Sequence, residues 1–361
     1  MTPDSELSAR VRQLALALGF DLAGIAEAKP HPWTEFLREW ISSGYAGSMD
    51  YLERRVEERV DPRKLVDGAR SIVAVGLVYA GRDSQRGADD ATASSARVAR
   101  YAPGDDYHEL MRERLRALES GIEALAERPV RMRSYVDTGP VQERVYAALG
   151  GLGWIGKNTC LIHPELGSYL FLGVVICDLP LVSDEAVADH CGSCTACLDA
   201  CPTDAFASPY VLDATRCLAY TTIEDPGPIP EALRAPQGDR VFGCDVCQEV
   251  CPWNQETRRV LPSDPLGLRA RLAPREEWRR PTLEWLLGLD EQAWRAVTRH
   301  SAMRRSRWRG LLRNALVAAG NSRDPALCEP VRRHALGSDP LLAEHARWAL
   351  ERLEGRGSSA E

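Results

Sequence analysis

The sequence predicts three consecutive regions: an α/β region over residues 1–180, a small cysteine-rich region over 181–260 and an all-α region over 261–361. Helical patterns alternate with short β-rich runs in the first region, and eight cysteines are concentrated in the second. After about residue 280 the pattern is wholly helical. Since 361 residues exceed one ordinary hydrophobic core, two or three domains are expected.

The first region carries two helical patterns, in which apolar residues recur three and four positions apart: SELSARVRQLALALG and HELMRERLRALESGIEALAE. Three β-rich runs predict strands: SIVAVGLVYA, VRMRSYVDTG and YLFLGVVICD. The second strand ends near Asp137 in a Thr-Gly-Pro turn, a common location for functional groups in α/β folds. This carboxylate is a candidate proton donor if burial raises its pKa, and the alternative is an aspartate that only caps the turn.

The second region contains two runs of cysteines, each closed by a proline, with Cys217 between them. The first run, CGSCTACLDACP, has the spacing of a bacterial ferredoxin, in which the fourth cysteine ligates the other of two iron–sulfur clusters. The second run is GCDVCQEVCP. The interleaved rule gives two sets of four thiolate ligands: Cys191, Cys194, Cys197 and Cys251 in set one, and Cys201, Cys217, Cys244 and Cys247 in set two.

Two zinc sites, each with four cysteine ligands, are the alternative interpretation of this region, although zinc motifs usually pair one CxxC with another CxxC. The remaining cysteines are interpreted as small buried hydrophobes: Cys160, Cys177 and Cys328. Two adjacent clusters form a short electron path, which needs an acceptor at its end. The stretch GGLGWIGKNT lacks both nucleotide-binding spacings, yet its glycines predict a close backbone approach to a large or planar group.

The third region contains two helical segments that resemble each other. RNALVAAGNSRDP and EHARWALERLEGR match at a shift of 31 residues, which aligns Ala315 with Ala346 and Ala318 with Ala349. Helical units of this size bury their apolar faces by stacking on their neighbours. The match therefore predicts a small α-solenoid, with a plain helical bundle as the alternative.

Charge is unevenly distributed along the chain. Twelve arginines and five acidic residues lie between Arg269 and Arg313, whereas the whole chain has a formal net charge of −7. We call this segment the basic belt; the rest of the chain is acidic. The N-terminus lacks the apolar core of a signal peptide, and the longest apolar runs fall short of the ~20 residues that span a membrane. A cytoplasmic protein with reduced thiols is therefore expected.

Several segments, in this order, resemble the epoxyqueuosine reductase family: RYAPGDDYH, YVDTGPVQER, GLGWIGKNT, HPELGSYLFLG, CGSCTACLDACPTDA, RCLAYTTIE and GCDVCQEVCPWN. The resemblance covers nearly the whole chain. It implies an α/β N-terminal cobalamin-binding domain related to that of reductive dehalogenases, followed by a bacterial-type ferredoxin domain with two [4Fe-4S] clusters. The all-α C-terminal region would then form HEAT-like repeats that contact tRNA.

The resemblance also implies a reaction and its residues. The epoxide of epoxyqueuosine, at the wobble position of tRNAs with GUN anticodons, becomes an alkene with loss of water, and Asp137 supplies the proton. An external low-potential donor supplies the electrons, and the chain acts as a monomer. The cobalamin contacts implied are Arg63, Tyr101, Asp137, Arg144, Asn158, Ser168 and Tyr220. The segment RRSRWRG implies tRNA contacts at Arg304, Arg305 and Arg307, with Trp308 as a stacking surface.

Two other functions remain open from the sequence. One is a cobalamin- and cluster-dependent reductase of a small molecule, similar to reductive dehalogenases and without a nucleic-acid substrate. The other is a non-catalytic electron carrier or cobalamin-handling protein. Two long polar stretches, residues 81–100 and EDPGPIPEALRAPQG, are interpreted as surface loops that tolerate insertions.

Overall fold

The computed structural model describes residues 3–80, 94–255 and 257–355, so most of the polar loop expected over 81–100 lies outside the described residues. The first region consists of the following elements: α1 (Pro3–Ala17), β1 (Leu22–Glu27), α2 (Thr34–Ser42), α3 (Val56–Val60), β2 (Ser71–Val78), β3 (Arg97–Val98), α4 (Tyr107–Ala126), β4 (Met132–Tyr135), α5 (Glu143–Leu149), β5 (Trp154–Ile155), β6 (Leu161–Ile162) and β7 (Leu170–Cys177). Both helices and all three strands that the sequence predicts for this region are present, and β1 is an additional strand.

A four-stranded sheet in the order β1-β2-β7-β4 forms the centre of the first region. Every ladder is antiparallel, although alternating helices and strands are more typical of parallel sheets. Both faces of the sheet are covered. Val73 and Val75 of β2 pack in one core with α1 and α4, whereas Ile72 and Ala74 pack in another core with α5. Burial on both faces explains why this strand is an unbroken apolar run.

The second region is built from short elements: α6 (Ala196–Asp199), β8 (Phe206–Ser208), β9 (Val211–Leu212), α7 (Glu231–Gln237), β10 (Arg240–Phe242) and α8 (Val246–Glu249). The one-turn helices α6 and α8 each lie inside one of the cysteine runs. A π-helical turn, Tyr220–Glu224, follows Cys217. The strand β10 pairs in parallel with β3 of the first region, so the backbones of the two regions are joined.

The third region is helical, as predicted: α9 (Leu268–Leu272), α10 (Glu276–Arg279), α11 (Leu283–Gly288), α12 (Glu291–Val297), α13 (Arg307–Ser322), α14 (Cys328–Ala335) and α15 (Pro340–Leu353). The four aligned alanines are buried in one core shared by α13 and α15. These helices approach closely, since a Cβ on Gly320 would lie 2.8 Å from the Cα of Ala349. Stacked helices of this kind suit both a HEAT-like repeat and a plain bundle.

The hydrophobic cores do not follow the predicted border at residue 260. Leu268 and Leu272 of α9 are buried in the core of α1 and α4. The core of the C-terminal helices also includes Val98, Val241 and Phe242, which belong to the β3–β10 pair. The three regions therefore share apolar cores. Within the part of the chain that the structure describes, no helix is long and apolar enough to cross a membrane.

Candidate functional site

Asp137 lies in a tight turn directly after β4. The N–H of Thr138 donates to the carbonyl of Val136 at 2.6 Å, and Asp137 between them has a φ of 58°. Positive φ is uncommon outside glycine, although aspartate tolerates it better than most residues. Position 139, two residues after Asp137, requires glycine, because a Cβ on Gly139 would lie 2.3 Å from the ring of Tyr135. The turn presents the Asp137 side chain outward, with 60% of it exposed.

His108 connects Asp137 to a second carboxylate. Asp106 caps α4 by accepting the backbone N–H of His108 at 2.9 Å, and the same oxygen lies 2.7 Å from His108 Nδ1. The other ring nitrogen, Nε2, lies 3.1 Å from Oδ2 of Asp137. The cap fixes the ring at the start of the helix and leaves Nε2 directed at Asp137. The motif RYAPGDDYH contained this Asp-x-His signal, but the sequence interpretation did not use it.

The electrostatics of this pair differ from the sequence expectation. Burial favours a high pKa for Asp137, but the hydrogen bond and charge of His108, with the charge of Arg144, outweigh burial and lower that pKa. Burial favours a low pKa for His108, yet hydrogen bonds and charges of Asp106 and Asp137 raise it to about 9. The condition under which Asp137 alone would be a proton donor, a pKa raised by burial, is therefore not met. At neutral pH the proton resides on His108.

A cavity of about 750 Å³ opens beside His108. It is bounded by the start of α4, the π-helical turn and the segment that leads into α13, and its lining includes Asp106, His108, Glu224, His300, Arg304, Arg305 and Arg307. The three arginines singled out from the sequence thus line the same cavity as His108. Arg304 and Arg307 are exposed. Arg305 donates to both oxygens of Glu224, from Nε at 3.0 Å and from Nη2 at 2.6 Å.

Two features of the basic belt differ from expectation. Trp308 donates its indole N–H to the carbonyl of Leu289 at 2.8 Å and packs against the C-terminal core. Its ring is therefore directed inward, and the predicted stacking surface is wrong. Other arginines of the belt bind carboxylates of the chain: Arg269 with Asp21, Arg275 with Asp105, and Arg309 with Asp339. Part of the local positive charge is neutralised in this way.

The thiols interact electrostatically within the two sets that the interleaved rule predicts, and their assignment as cluster ligands stays a prediction. In set one, burial and the neighbouring thiols Cys251, Cys191 and Cys194 raise the pKa of Cys197 to about 11. In set two, the thiols that interact electrostatically are Cys201 with Cys217, Cys217 with Cys244, and Cys247 with both Cys217 and Cys244. Cys194 of set one is exposed, whereas the thiols of set two are half-buried. Among the described residues, no three His, Cys, Asp or Glu side chains enclose a single-ion site.

A ninth thiol lies at set two, and here the sequence interpretation was wrong. Cys160 was taken as a buried hydrophobe without a polar partner. Its thiol instead interacts with the thiol of Cys247, and this interaction lowers the Cys160 pKa to about 7. Cys177 is buried in the core of the sheet, and Cys328 packs against the C-terminal core, as expected. The contact of Cys160 is long-range in sequence, and its position in GKNTC carried no signal for it.

Family models match two segments of the chain. Residues 190–254 match a 4Fe-4S double cluster binding domain, and residues 59–138 match the model of epoxyqueuosine reductase QueG. The epoxyqueuosine reductase of Xanthomonas campestris pv. campestris is 42% identical over 96% of this chain and 97% of its own length. The chain belongs to the epoxyqueuosine reductase family. The first of these models favours the iron–sulfur interpretation of the cysteines over zinc.

Other members of the family are similar to this protein over nearly the whole length of the chain. The epoxyqueuosine reductase of Escherichia coli K12 is 35% identical over 98% of this chain and 92% of its own length. A crystal structure of epoxyqueuosine reductase with an epoxyqueuosine-modified tRNA stem loop superimposes with a TM-score of 0.86, at 31% identity over 96% of this chain and 90% of that one. A Bacillus subtilis epoxyqueuosine reductase, solved with its catalytic loop swung out of the active site, matches with the same TM-score at 30% identity over 96% and 90% of the two chains.

Of four cobalamin contacts that the epoxyqueuosine reductase resemblance implies, two are exposed, one is half-buried and one, Tyr220, is buried. Arg144 is exposed and donates to the carbonyl of Thr159 at 3.2 Å. Tyr101 is half-buried between the two large cores, and its ring is 6.1 Å from that of Tyr107. The remaining two are Tyr220, whose hydroxyl accepts the N–H of Ser48 at 2.8 Å, and Arg63, which is exposed and bound to Asp61.

The other two side chains face the cysteine-rich region. Asn158 donates to the carbonyl of Cys247 at 3.2 Å, and the Ser168 hydroxyl accepts from Asn254 at 2.8 Å and from Gln248 at 3.0 Å. Both are almost fully buried, with 3% and 5% exposed. In this member of the epoxyqueuosine reductase family, these residues join the sheet region to the second cysteine run. Their assignment to the corrin stays a prediction.

Proposed function

We propose that this protein reduces the epoxide of epoxyqueuosine in tRNA to the alkene of queuosine. The reaction consumes two electrons and two protons and releases water. The observation that carries the proposal is the acid–base pair of His108 and Asp137 beside a cavity walled by Arg304, Arg305 and Arg307. A proton source and a polyanion-binding wall at one cavity are what reduction of a modified nucleotide requires. Membership of the epoxyqueuosine reductase family supports the same activity.

Asp137 and His108 together donate a proton to the epoxide oxygen. As the epoxide opens, negative charge develops on its oxygen and a nearby acid must neutralise it. His108 is protonated at neutral pH and lies 3.1 Å from the Asp137 carboxylate, so it is the source of the proton that passes through Asp137 to the oxygen. The turn of Asp137 is the proposed counterpart of the catalytic loop that swings out in the Bacillus subtilis enzyme. Tyr107 is buried and stacks on the His108 ring at 4.0 Å between centroids, which fixes the orientation of that ring beside Asp137.

Cobalamin is the proposed cofactor of the first region, where it supplies a strongly reducing, nucleophilic metal centre when bound. The residues fit its chemistry, since the exposed guanidinium of Arg144 near Asp137 suits the peripheral amides and phosphate of a corrinoid. Tyr101, Tyr220 and Arg63 are the further proposed contacts. Set one and set two each supply four thiolates, the number that one [4Fe-4S] cluster takes.

Electrons are proposed to enter through set one, because it contains the exposed thiol Cys194 and set two does not contain an exposed one. An external low-potential donor would dock on that side. A cluster held by set two would adjoin the sheet region, because Asn158 of that region donates to the backbone carbonyl of Cys247. We further propose three functional regions with borders near 180 and 260, a monomeric cytoplasmic protein, and tRNAs with GUN anticodons as substrates.

The experiment is anaerobic reconstitution with iron, sulfide and cobalamin, followed by reduction and addition of an epoxyqueuosine-modified stem loop. We expect about eight irons per chain, a corrinoid that stays bound through gel filtration, and a product nucleoside that has lost one oxygen atom. The matched control is Asp137→Asn, which should keep both cofactors and lose turnover by at least about 100-fold. A corrinoid that washes off, or full turnover in Asp137→Asn, would contradict the proposal.

A further inference from the structure

Lys157 lies in the segment GLGWIGKNT, whose glycines predict a close approach to a large or planar group. The structure gives this segment a contact with the first cysteine run. The ammonium of Lys157 donates to the carbonyl of Gly192 at 2.6 Å and to that of Cys194 at 2.9 Å. The function proposed above does not use this residue. Lys157 therefore holds a positive charge against the backbone of the run that supplies three of the four thiols of set one.

A negative charge binds the backbone of the same run. Asp189 accepts the N–H of Cys191 on Oδ1 at 2.6 Å, and its other oxygen accepts the hydroxyl of Tyr210. The backbone N–H of Tyr210 in turn donates to the carbonyl of Lys157 at 3.0 Å. The two charged residues are thus connected through Tyr210. One cation and one anion hold the start of the first cysteine run by hydrogen bonds to its backbone.

The surroundings of set one fit an iron–sulfur cluster. Trp154, from the same segment as Lys157, is 3% exposed and belongs to a small core that includes Cys251 and Cys191. Its indole N–H is buried without a hydrogen-bond partner among the described residues. A buried N–H requires an acceptor, and a cluster sulfur within this core would provide one. The segment GLGWIGKNT therefore contacts set one through an indole as well as an ammonium.

We propose that Lys157 and Asp189 set the reduction potential of the cluster held by set one, Lys157 raising it and Asp189 lowering it. The proposal rests on the proposed function only for the presence of that cluster. Reduction takes one electron from the external low-potential donor and makes the cluster one charge more negative, and no bond forms or breaks. A nearby cation stabilises the reduced cluster, and a nearby anion destabilises it. Lys157 therefore favours the entry of electrons at set one.

The competing role for Lys157 is mechanical. In that role its hydrogen bonds would only hold the loop of Cys194, the exposed thiol of set one. Loss of the bonds would then release iron, and the potential of any cluster that stays bound would equal the native one. A role through charge instead shifts the potential of a cluster that keeps all its iron. Iron content and reduction potential, measured on the same sample, separate the two roles.

The test is a redox titration of the reconstituted protein followed by EPR, without tRNA or cobalamin. Lys157→Met removes the charge and both hydrogen bonds. We expect reduction of one cluster to become about tenfold less favourable, a shift of about 59 mV to lower potential. Lys157→Arg keeps the charge and should stay within about threefold of the native equilibrium. Asp189→Asn keeps an acceptor oxygen for the Cys191 N–H and should shift the same cluster to higher potential.

Iron analysis accompanies each titration, and about eight irons per chain are expected in the native protein and in all three variants. If Lys157→Met loses iron, Lys157→Gln, which offers a neutral donor, replaces it. Native potentials in neutral variants that keep their iron would overturn the proposal. Iron loss in both neutral variants would overturn it as well, since it assigns Lys157 the mechanical role.

The cluster that shifts must also be the one held by set one. Cys217→Ser disrupts set two and leaves the thiols of set one in place, so the shift caused by Lys157→Met should persist when the two substitutions are combined. A shift that appears only in the cluster lost from Cys217→Ser would contradict the proposal. Because these titrations need no substrate, they decide the roles of Lys157 and Asp189 even if the protein fails to reduce epoxyqueuosine.

Discussion

The cysteine-rich region and the acid–base site are built in opposite ways. The eight thiols come from one segment, Cys191 to Cys251, and two runs with fixed spacing place most of each set by local geometry. The acid–base site combines residues from α4, from the turn after β4 and from the entry to α13, which only the folded chain brings together. Changes in the first should therefore act most strongly on cofactor content. Changes in the second should act on proton transfer and substrate binding while leaving the clusters intact.

The largest effect is expected for Cys217→Ser, because Cys217 stands alone between the two runs and completes set two. We expect iron to fall from about eight to about four per chain, since a [4Fe-4S] cluster needs its fourth thiolate. Turnover should be abolished, because electrons no longer reach the sheet region. Iron and sulfide analysis with EPR of the reduced protein measures both sets separately.

Two matched cysteine variants sharpen this result. Cys328→Ser alters a thiol that packs against the C-terminal core, far in sequence from both runs, and should keep all the iron. Cys160→Ser removes the thiol that interacts with Cys247 and should also keep about eight irons. If Cys160→Ser loses four irons and Cys217→Ser loses none, Cys160 belongs to set two in place of Cys217.

The second prediction concerns His108→Gln, which should lower turnover by about 10- to 100-fold and leave iron content unchanged. The native rate should decrease as pH rises through about 9, where the raised pKa of His108 lies, because the proton is lost there. This decrease in rate at alkaline pH, the alkaline limb of the pH–rate profile, should be absent in His108→Gln. Rates on the modified stem loop across pH measure it, and an unchanged limb would assign it to another group.

The same pKa shift makes a stability prediction. A histidine whose folded pKa exceeds its ordinary value of 6.5 stabilises the protein fully below that value, and this contribution is lost as pH rises through about 9. The difference in the free energy of unfolding between native protein and His108→Gln should therefore be largest in mildly acidic solution and shrink by about pH 9. Urea unfolding of the two proteins at both pH values checks the sign. A difference that grows with pH would contradict it.

The third prediction tests the wall of the cavity. Arg304→Ala and Arg307→Ala should each weaken stem-loop binding. Each should also reduce the slope of the logarithm of the binding constant against the logarithm of the salt concentration by about one, as expected for the loss of one phosphate contact. Arg305→Ala should have a smaller effect, because Arg305 is bound to Glu224. Arg279→Ala is the control, since Arg279 belongs to the belt but lies in α10 beside Glu276.

Reversing the charge of all three arginines separates the two reductase hypotheses. Binding and turnover of the stem loop should fall, whereas reduction of a small epoxide should continue at the native rate. Equal loss on both substrates would place the arginines in the chemistry or the folding of the site, and would count against a role in tRNA binding.

The smallest effect is expected for Gly167→Ala, at the contact between the sheet region and the end of the second cysteine run. Gly167 has a φ of 73°, and a Cβ there would lie 2.1 Å from Oδ1 of Asn254. We expect the free energy of unfolding to fall by about 1–3 kcal/mol. Gly44→Ala is a matched control, since Gly44 has a φ of 76° and no atom within 4 Å of the added Cβ. Equal loss in both would assign the effect to backbone conformation and not to this contact.

The parts of the molecule that local patterns determine could be predicted from the sequence. Strands β2 and β7 are unbroken apolar runs because both faces of the sheet are covered, and the ferredoxin spacing places the thiols around one-turn helices. The antiparallel order of the sheet was not visible, since periodicity reports which face is buried and not which strands pair. The parallel pairing of β3 with β10 joins residues far apart in sequence, and each strand is too short to give a pattern.

The candidate site was predictable only in part. Asp137 follows a strand and precedes a turn, so its position was visible, but its pKa depends on His108 and Arg144, which other segments supply. Trp308 was misinterpreted for a related reason, because an aromatic residue among arginines has the same sequence pattern whether its ring faces solvent or the core. Cys160 gave no signal, since its neighbour Cys247 lies in α8, which only the folded chain brings to it.

The short ladder between β3 and β10 links cluster binding to the stability of the C-terminal helices. Cys244 of set two follows β10 almost immediately, and Phe242 of β10 is buried in the core of the C-terminal helices. Binding of a cluster at Cys244 would stabilise the folded state of this region by mass action. It would therefore also stabilise the core of the C-terminal helices, which supports the segment of Arg304, Arg305 and Arg307. Newly made chains that lack iron should be poor RNA binders. Maturation of the electron path would then come before engagement of the substrate, which protects tRNA from unproductive capture by incomplete enzyme.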